Sequence, residues 1–522
     1  MAGSPRAGLP ARVSARVHAS PYLATALGLT LLVAASLYLR TQAITAKFWI
    51  DEGLSVGIAH HGFWDIPTVL QQDGSPPLYY LLLHVWMAVA GGDGEARTHA
   101  LSVALAMLAV PAAFVLGRLL FGARAGWAAA ALTATLPFLT YYAQETRMYA
   151  LIAFLGLVAA GAFGLAYGLR ERRALPVFAV ATAAMLYTHN WGAFLAAGLG
   201  IGWLVLVRTA APQERRPLVR DGLLGFGAAV VLYLPWVPTL LEQARHTGAP
   251  WAERPPLEAI VTSITSLAGG TETGLLVLVL GIAGLLTLQE ESRPRARAAL
   301  GIGVALGTGI ALAWLASQAS PAWSTRYFSV FVGPALLLAG AGLVRFGKVG
   351  LVALALVLVL WFDPRDRQIK GKSDVYRVAR TLQEEGLIKP NDLVVTAHPE
   401  QGPLLRYYLG PDYRFADAMG PVPDTRVFDW RDALDRLEAA GPRRTLDRLA
   451  PSVSPGQHLV LMLPIIRTGR WGAPWTELVR RRSAQWERAV DHDKRFQRIA
   501  PVPEFGTRPL PRGLRAVVYL RR

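Results

Sequence analysis

The sequence predicts an α-helical polytopic membrane protein of about 11 transmembrane helices, with juxtamembrane helices on the outer face and a C-terminal α/β soluble domain. Three observations carry this. Apolar residues make up 53% of the 522 residues and mean hydropathy is positive, at +0.33, which belongs to the polytopic membrane class. Eleven runs are long and apolar enough to cross a hydrocarbon core of about 30 Å. Beyond Phe362 charges return and apolar runs shrink to strand length.

The eleven runs extend from Tyr22 to Leu39, Thr98 to Leu119, Gly126 to Tyr142, Tyr149 to Leu169, Ala174 to Tyr187 and Trp191 to Val207. They continue from Gly222 to Leu241, Thr273 to Leu288, Ala299 to Ser317, Tyr327 to Val344 and Val349 to Phe362. A twelfth candidate, Pro77 to Ala90, would reach only about 21 Å at 1.5 Å per residue. Positive residues decide its place, because they collect in cytoplasmic loops. With Pro77 to Ala90 outside the membrane, one side holds Arg6, Arg12, Arg16, Arg118, Arg124, Arg170, Arg172 and Arg173, then Arg208, Arg215, Arg216, Arg220, Arg293, Arg295, Arg297, Arg345 and Lys348. The other side keeps Arg40, Lys47, Arg97, Arg147, Arg245, Arg254 and Arg326. If that segment crossed, the bias would break. It is therefore expected as a juxtamembrane or re-entrant helix whose Tyr79, Tyr80, His84 and Trp86 suit an interface; by length alone a short, tilted span is the other option.

The expected organisation is a cytoplasmic tail at 1–21, a membrane domain at 22–362 with its first outer loop at 41–97, and an extracytoplasmic domain at 363–522. In the last, helices at Asp374–Glu385, Pro403–Leu409, Trp430–Ala439 and Trp475–Val490 alternate with strands at Leu393–Thr396, His458–Leu463 and Ala516–Leu520. No glycine-rich phosphate loop follows its first strand, so it is read as docking a partner or bracing the membrane part. The net charge of +17 resides largely in loops between apolar runs, and this argues against a nucleic-acid partner. With no cysteine in the chain, thiolate metal sites and cysteine nucleophiles are excluded. HExxH, P-loop and GxSxG patterns are also missing, which removes zinc proteases, NTPases and serine hydrolases of those types.

Chemistry is expected at the outer face. Asp51 and Glu52 stand side by side just after the first span, where a carboxylate is costly unless it works, although acids also favour a first helical turn. Glu145 and Arg147 occupy a second such turn, and topology brings both turns to one side with Asp73, His189 and Asn190. His84 lies on an apolar helix, where a hydrogen-bonded structural histidine is commoner. His60 and His61 read as a solvated turn.

The acidic WIDEGLS turn, the SPPLYYLLLHVW helix, GEAR, GRLLFGARAG, YYAQETRMYAL, THN and STRYF, in that order and spacing, resemble the GT-C glycosyltransferases. The likeness is to the bacterial branch similar to protein O-mannosyltransferases and the lipid A aminoarabinose transferase, and it covers roughly Tyr22 to Phe362. It implies an inverting transfer of a sugar from a polyprenyl-phosphate donor to an acceptor hydroxyl on a glycan, lipid or protein. It also implies a multi-pass cell-membrane location with the N-terminus cytoplasmic. Asp51 matches the family's general base, with Glu52 orienting acceptor or base; Glu145 matches the second acidic position, able to hold sugar hydroxyls or a divalent cation, in which case Asp51 and Glu145 would be the ligands. Arg97, Arg147 and Arg326 are the candidates for the donor phosphate, and His189, Asn190, Tyr327, Tyr149, Asp73 and His84 for substrate contacts. Arg326 with Tyr327 reads equally well as an anchoring arginine at a helix start. The sequence departs from the family where Thr98 and His99 follow Arg97 in place of an apolar residue and proline. A transporter or flippase of lipid-linked glycans is the alternative, as is a non-catalytic relative; the nearly charge-free span interiors favour transfer, since transporters put polar sites near the midplane.

Overall fold

The computed structural model describes residues 21–287, 292–465, 472–502 and 513–522. Arg6, Arg12 and Arg16, and with them nearly all of the expected tail, lie outside the described residues, as does the end of the Thr273–Leu288 run. Each of the eleven apolar runs is helical where described. The chain enters on α1 (Pro21–Leu39) and passes through three short helices, α2 (Ile50–Ala59), α3 (Ile66–Asp73) and α4 (Leu78–Ala90), before the long α5 (Glu95–Phe121). Then come α6 (Ala123–Thr135), α7 (Pro137–Tyr142), α8 (Tyr149–Phe163), α9 (Leu175–Leu186), α10 (Gly192–Thr209), α11 (Pro212–Tyr233) and α12 (Val237–His246). After α13 (Glu258–Leu267) and α14 (Thr271–Leu286), which meet at a bend of 95°, three helices at Arg293–Ala319, Ser329–Leu343 and Gly347–Trp361 complete the bundle. By length and composition, 7 helical stretches of the described residues suffice to cross a membrane, or 8 if the bent pair is one span.

Proline explains the interruptions. Pro137 lacks the N–H that would continue α6 and instead starts α7, while Pro235 sits within the 3-10 turn Leu234–Trp236 that follows α11 and Pro238 in the first turn of α12. Glycine explains the close crossings. Cβ atoms on Gly198 and Gly202 of α10 would lie 2.2 Å from Ala305 O and 2.5 Å from Gly301 O of the Arg293–Ala319 helix, so two backbones meet where a GxxxG face permits it.

The C-terminal domain is built on a six-stranded sheet of order β3-β2-β1-β4-β6-β5. Its strands are β1 (Leu393–Thr396), β2 (Arg414–Asp417), β3 (Gly420–Pro421), β4 (His458–Ile465), β5 (Phe496–Val502) and β6 (Gly513–Arg521). β1 is parallel to both β2 and β4, and the other pairings are antiparallel. The buried Leu393–Thr396 and His458–Leu463 runs are strands as the pattern predicts. β2, β3 and β5 were not anticipated: β5 alternates exposed and buried positions only weakly at the sheet edge, and β3 has two residues.

This domain sits directly on the first outer loop. Gly53 and Gly57, one turn apart on α2, face it: a Cβ on Gly53 would stand 2.7 Å from Leu404 Cα, and one on Gly57 2.1 Å from Arg426 O. The Tyr408 hydroxyl accepts from Phe48 N–H at 2.7 Å, His61 Nε2 pairs with Asp424 at 2.6 Å, and Trp430 N–H donates to Gln72 O at 2.8 Å. His61 is thus buried against the domain, not solvated, while His60 pairs at the surface with Asp93. Tyr79 and Tyr80 are likewise enclosed rather than interfacial, because α4 packs its tyrosines between α2 and α5. Gly57→Ala is expected to destabilise by about 1–3 kcal/mol, since the methyl meets a backbone carbonyl that cannot swing away. Thermal unfolding in detergent should show a lowered Tm for Gly57→Ala and no loss for Gly227→Ala, whose Cβ would meet open space.

Candidate active site

The site is organised by the first turn of α2. Asp51 and Glu52 occupy its N-terminal positions, where carboxylates meet the positive end of the helix dipole, and Glu52 Oε2 also accepts from Trp49 N–H at 3.3 Å. Neighbours on a helix point about 100° apart, so the two carboxylates have different surroundings.

Glu52 is completely buried. Its Oε1 meets His99 Nε2 at 2.6 Å and accepts from Thr146 N–H at 2.9 Å, and its Oε2 lies 2.6 Å from Lys372 Nζ. Lys372 also reaches Glu145 Oε1 at 3.6 Å. Burial would raise the Glu52 carboxyl, but the Lys372 ammonium and the His99 imidazole outweigh it and hold the group down at about 2. His99, one of the two residues that depart from the family pattern, is thereby explained: its Nδ1 bonds Ile44 O at 2.7 Å and its other nitrogen serves Glu52.

Asp51 instead lines a cavity of about 990 Å³ between the bundle and the C-terminal domain, together with Asp73, Arg147, His189, Asn190, Arg326 and Tyr327. Its Oδ2 is 3.2 Å from Arg326 Nη1 and 4.0 Å from Arg147 Nη2. Arg147 is fixed by donation to Asp51 O at 3.3 Å, Ser55 Oγ at 3.0 Å and the Tyr80 hydroxyl at 3.4 Å. Arg326 is sandwiched by the Trp49, Trp251 and Tyr327 rings, 5.5, 5.4 and 5.5 Å from its guanidinium carbon. His189 Nδ1 accepts from Trp191 N–H at 3.1 Å, which leaves the proton on Nε2. Burial, with Arg147 and Arg326 adding to it, lowers this imidazole to about 3, so it is a neutral donor. Asp73 ends α3, where Gly74 turns the chain with φ +91°, and burial raises its carboxyl against the pull of Ser75 and Arg147. Asn190 Nδ2 holds that turn by donating to Gly74 O at 3.0 Å.

Other expected contacts lie elsewhere. Glu52 and Glu145 do not line the cavity; both face Lys372 in the buried network. Arg97 is exposed on the outer side of the first turn of α5 and its Nη1 donates to Gly91 O at 3.1 Å, which removes it from the cavity with Arg147 and Arg326. His84 Nδ1 bonds Ala59 O at 2.9 Å, a structural role. Tyr149 is buried behind Arg147, its ring 5.9 Å from the guanidinium carbon. The carboxylates expected to share a cation are each turned to a different protein cation, and among the described residues no group of three or more His, Asp or Glu could hold a metal ion. Lys372 was missed. It follows the last apolar run by ten residues, in a stretch that also holds Arg365, Arg367 and Lys370, so nothing in the sequence distinguishes it.

No family model matches the chain, and no curated protein matches it by sequence. Solved structures do match. ArnT from Cupriavidus metallidurans bound to undecaprenyl phosphate aligns over 95% of this chain and 98% of its own at TM-score 0.62 and 14% identity. The fold is that of the GT-C glycosyltransferases. Two more GT-C structures agree. The archaeal oligosaccharyltransferase AglB from Archaeoglobus fulgidus, with an inhibitory peptide and a dolichol-phosphate, aligns over 84% of this chain and 69% of its own, with TM-score 0.54 and 12% identity. The arabinofuranosyltransferase AftD from Mycobacteria aligns over 94% of this chain and 40% of its own, with TM-score 0.55 and 15% identity.

Within this GT-C fold the Lys372 network is expected to carry stability. Lys372→Met removes the cation between two buried carboxylates and should cost about 3–5 kcal/mol, read as a lowered Tm. Because the folded Glu52 carboxyl lies below its unfolded value of about 4.3, its contribution is complete above that pH and is lost as pH falls toward 2. Unfolding midpoints measured from pH 6 down to 2 should therefore fall less steeply for Glu52→Gln than for the wild type.

Proposed function

We propose that the protein is a membrane glycosyltransferase that takes a sugar from a polyprenyl-phosphate donor and transfers it, with inversion, to an acceptor hydroxyl at the extracytoplasmic face. One observation carries the reading: a partly exposed carboxylate, Asp51, shares a cavity with two fixed guanidiniums, Arg147 and Arg326. That combination suits displacement of a lipid phosphate. The acceptor oxygen attacks the anomeric carbon as its proton passes to Asp51, and the bond from that carbon to the phosphate oxygen breaks with its electron pair leaving on the phosphate. Negative charge grows on the leaving phosphate, where Arg147 and Arg326 act.

The ion pair at 3.2 Å between Asp51 and Arg326 fits the same scheme. An incoming phosphate competes for the Arg326 guanidinium and releases Asp51 to act as base. Neutral His189 donates its Nε2 proton to a sugar or phosphate oxygen. The bias of basic residues along the sequence supports an extracytoplasmic cavity and a cytoplasmic N-terminus. The neighbours support the donor class, because the ArnT and AglB structures carry undecaprenyl phosphate and dolichol-phosphate.

Asp51→Asn should lower transfer by about 10²–10⁴-fold while the protein still inserts and purifies with an unchanged elution profile. The check is a radiolabel assay in proteoliposomes with a panel of polyprenyl-phosphate sugars, and a normally active Asp51→Asn enzyme would sink the base assignment. Arg326→Gln removes a charge-assisted contact of about 1.5–3 kcal/mol, so the donor KM should rise roughly 10- to 150-fold in the same assay.

A further inference from the structure

The C-terminal sheet contributes one wall of the Asp51 cavity. From β1 the chain crosses to β2 on one side and later returns to β4 on the other, so the connections diverge between β1 and β4. In open α/β sheets ligands bind outside the carboxyl ends of the strands at such a switch point. Here those ends supply His398, Glu400 and Gln401 after β1, and Pro464 with Ile465 at the end of β4, all lining the cavity that holds Asp51 and Arg326.

The chemistry of this wall differs from that of the Asp51 wall. His398 Nε2 and Glu400 Oε1 are 2.6 Å apart with both side chains largely enclosed. His398 Nδ1 and the Oε1 of Gln401, a residue only 1% exposed, are buried and have no hydrogen-bond partner among the described residues. Buried polar atoms left so are costly unless something else completes them. Trp430, partly exposed, lines the cavity as well, its ring held 5.3 Å from that of the buried Trp475 behind it. Hydrogen-bonding groups of both polarities in the same cavity as one partly exposed indole ring suit a molecule with many hydroxyls and an apolar ring face. Charge agrees. Once Arg147 and Arg326 are committed to a donor phosphate, the charged side chains remaining on the wall are Arg254 against Asp51, Asp73, Glu253 and Glu400, which does not favour an anionic acceptor. A volume of about 990 Å³ is at the top of the range for a drug-sized ligand, leaving room for a donor sugar and an acceptor together.

Resting on the glycosyltransferase reading, we infer that the switch-point crevice of the C-terminal domain is the acceptor subsite and that the acceptor is an uncharged saccharide, its hydroxyls bound by His398, Glu400 and Gln401. The domain is then half of the reaction chamber.

The test uses the full chain in nanodiscs with a polyprenyl-phosphate sugar and octyl glucoside, octyl mannoside and octyl galactoside as acceptor probes, a threonine-containing peptide being the competing probe. The wild type should glycosylate at least one octyl glycoside. His398→Ala, Glu400→Gln and Gln401→Ala should each raise the KM for that glycoside tenfold or more with the donor KM within twofold, while Arg380→Ala, on the exposed face of the same domain, changes neither. Glu400→Gln keeps the side-chain shape and guards against misfolding. Transfer only to the peptide, or unchanged acceptor KM in all three variants, overturns the saccharide subsite and leaves the glycosyltransferase reading standing. A wild type that neither transfers nor hydrolyses any donor in an Asp51-dependent way overturns both.

Discussion

The contact between Glu52 and Lys372, 2.6 Å long with both side chains almost wholly withdrawn from solvent, is the constraint on which the rest of the arrangement depends. Two ions taken out of water repay their desolvation only with good geometry and further hydrogen bonds. Here His99 and the Thr146 amide supply those bonds. The consequence is spatial: α2, the start of α5, the turn before α8 and the entry to the C-terminal domain are tied at one point. Gly53 then lets the domain's Gly402–Leu409 helix approach the other side of α2, and Gly57 admits the Arg426 carbonyl beside it.

Held this way, α2 separates two tasks between adjacent carboxylates. Glu52 takes the buried side and stays ionised because its partners are cations. Asp51 takes the cavity side, where its partners are arginines able to exchange it for an incoming anion. The same logic covers the 145–147 turn, which sends Glu145 to Lys372 and Arg147 to Asp51. Two short acidic turns, each unremarkable alone, become a site because a backbone amide of one bonds the carboxylate of the other.

The eleven apolar runs were legible as helices because a long apolar stretch leaves a compositional trace, though 7 or 8 helical stretches of the described residues suffice to cross a membrane, and the strands of the C-terminal domain were legible where both faces are buried. The site was legible in part. Asp51, Arg147, Arg326, His189, Asn190, Asp73 and Tyr327 do meet around one cavity, as their common side of the membrane implied. Arg97 and His84 do not join them, since membrane side says nothing of which way a side chain leaves its helix. Tyr79 and Tyr80 looked interfacial because tyrosine favours such belts, but they lie on the buried face of α4, while Leu82, Val85 and Val89 occupy its exposed face.

By itself the sequence determined that this is a membrane protein with carboxylates and arginines in the turns between its apolar runs and a more polar C-terminal domain, because hydrophobic length and composition are local quantities summed along a chain. Only the tertiary structure decided which of two adjacent carboxylates faces the cavity, that Lys372 neutralises the other, and that His398, Glu400 and Gln401 stand across from Asp51. Those outcomes depend on contacts such as Glu52 with Lys372 and His61 with Asp424, separated by hundreds of residues. No pattern in a window of sequence records them, since it is packing that selects the partner.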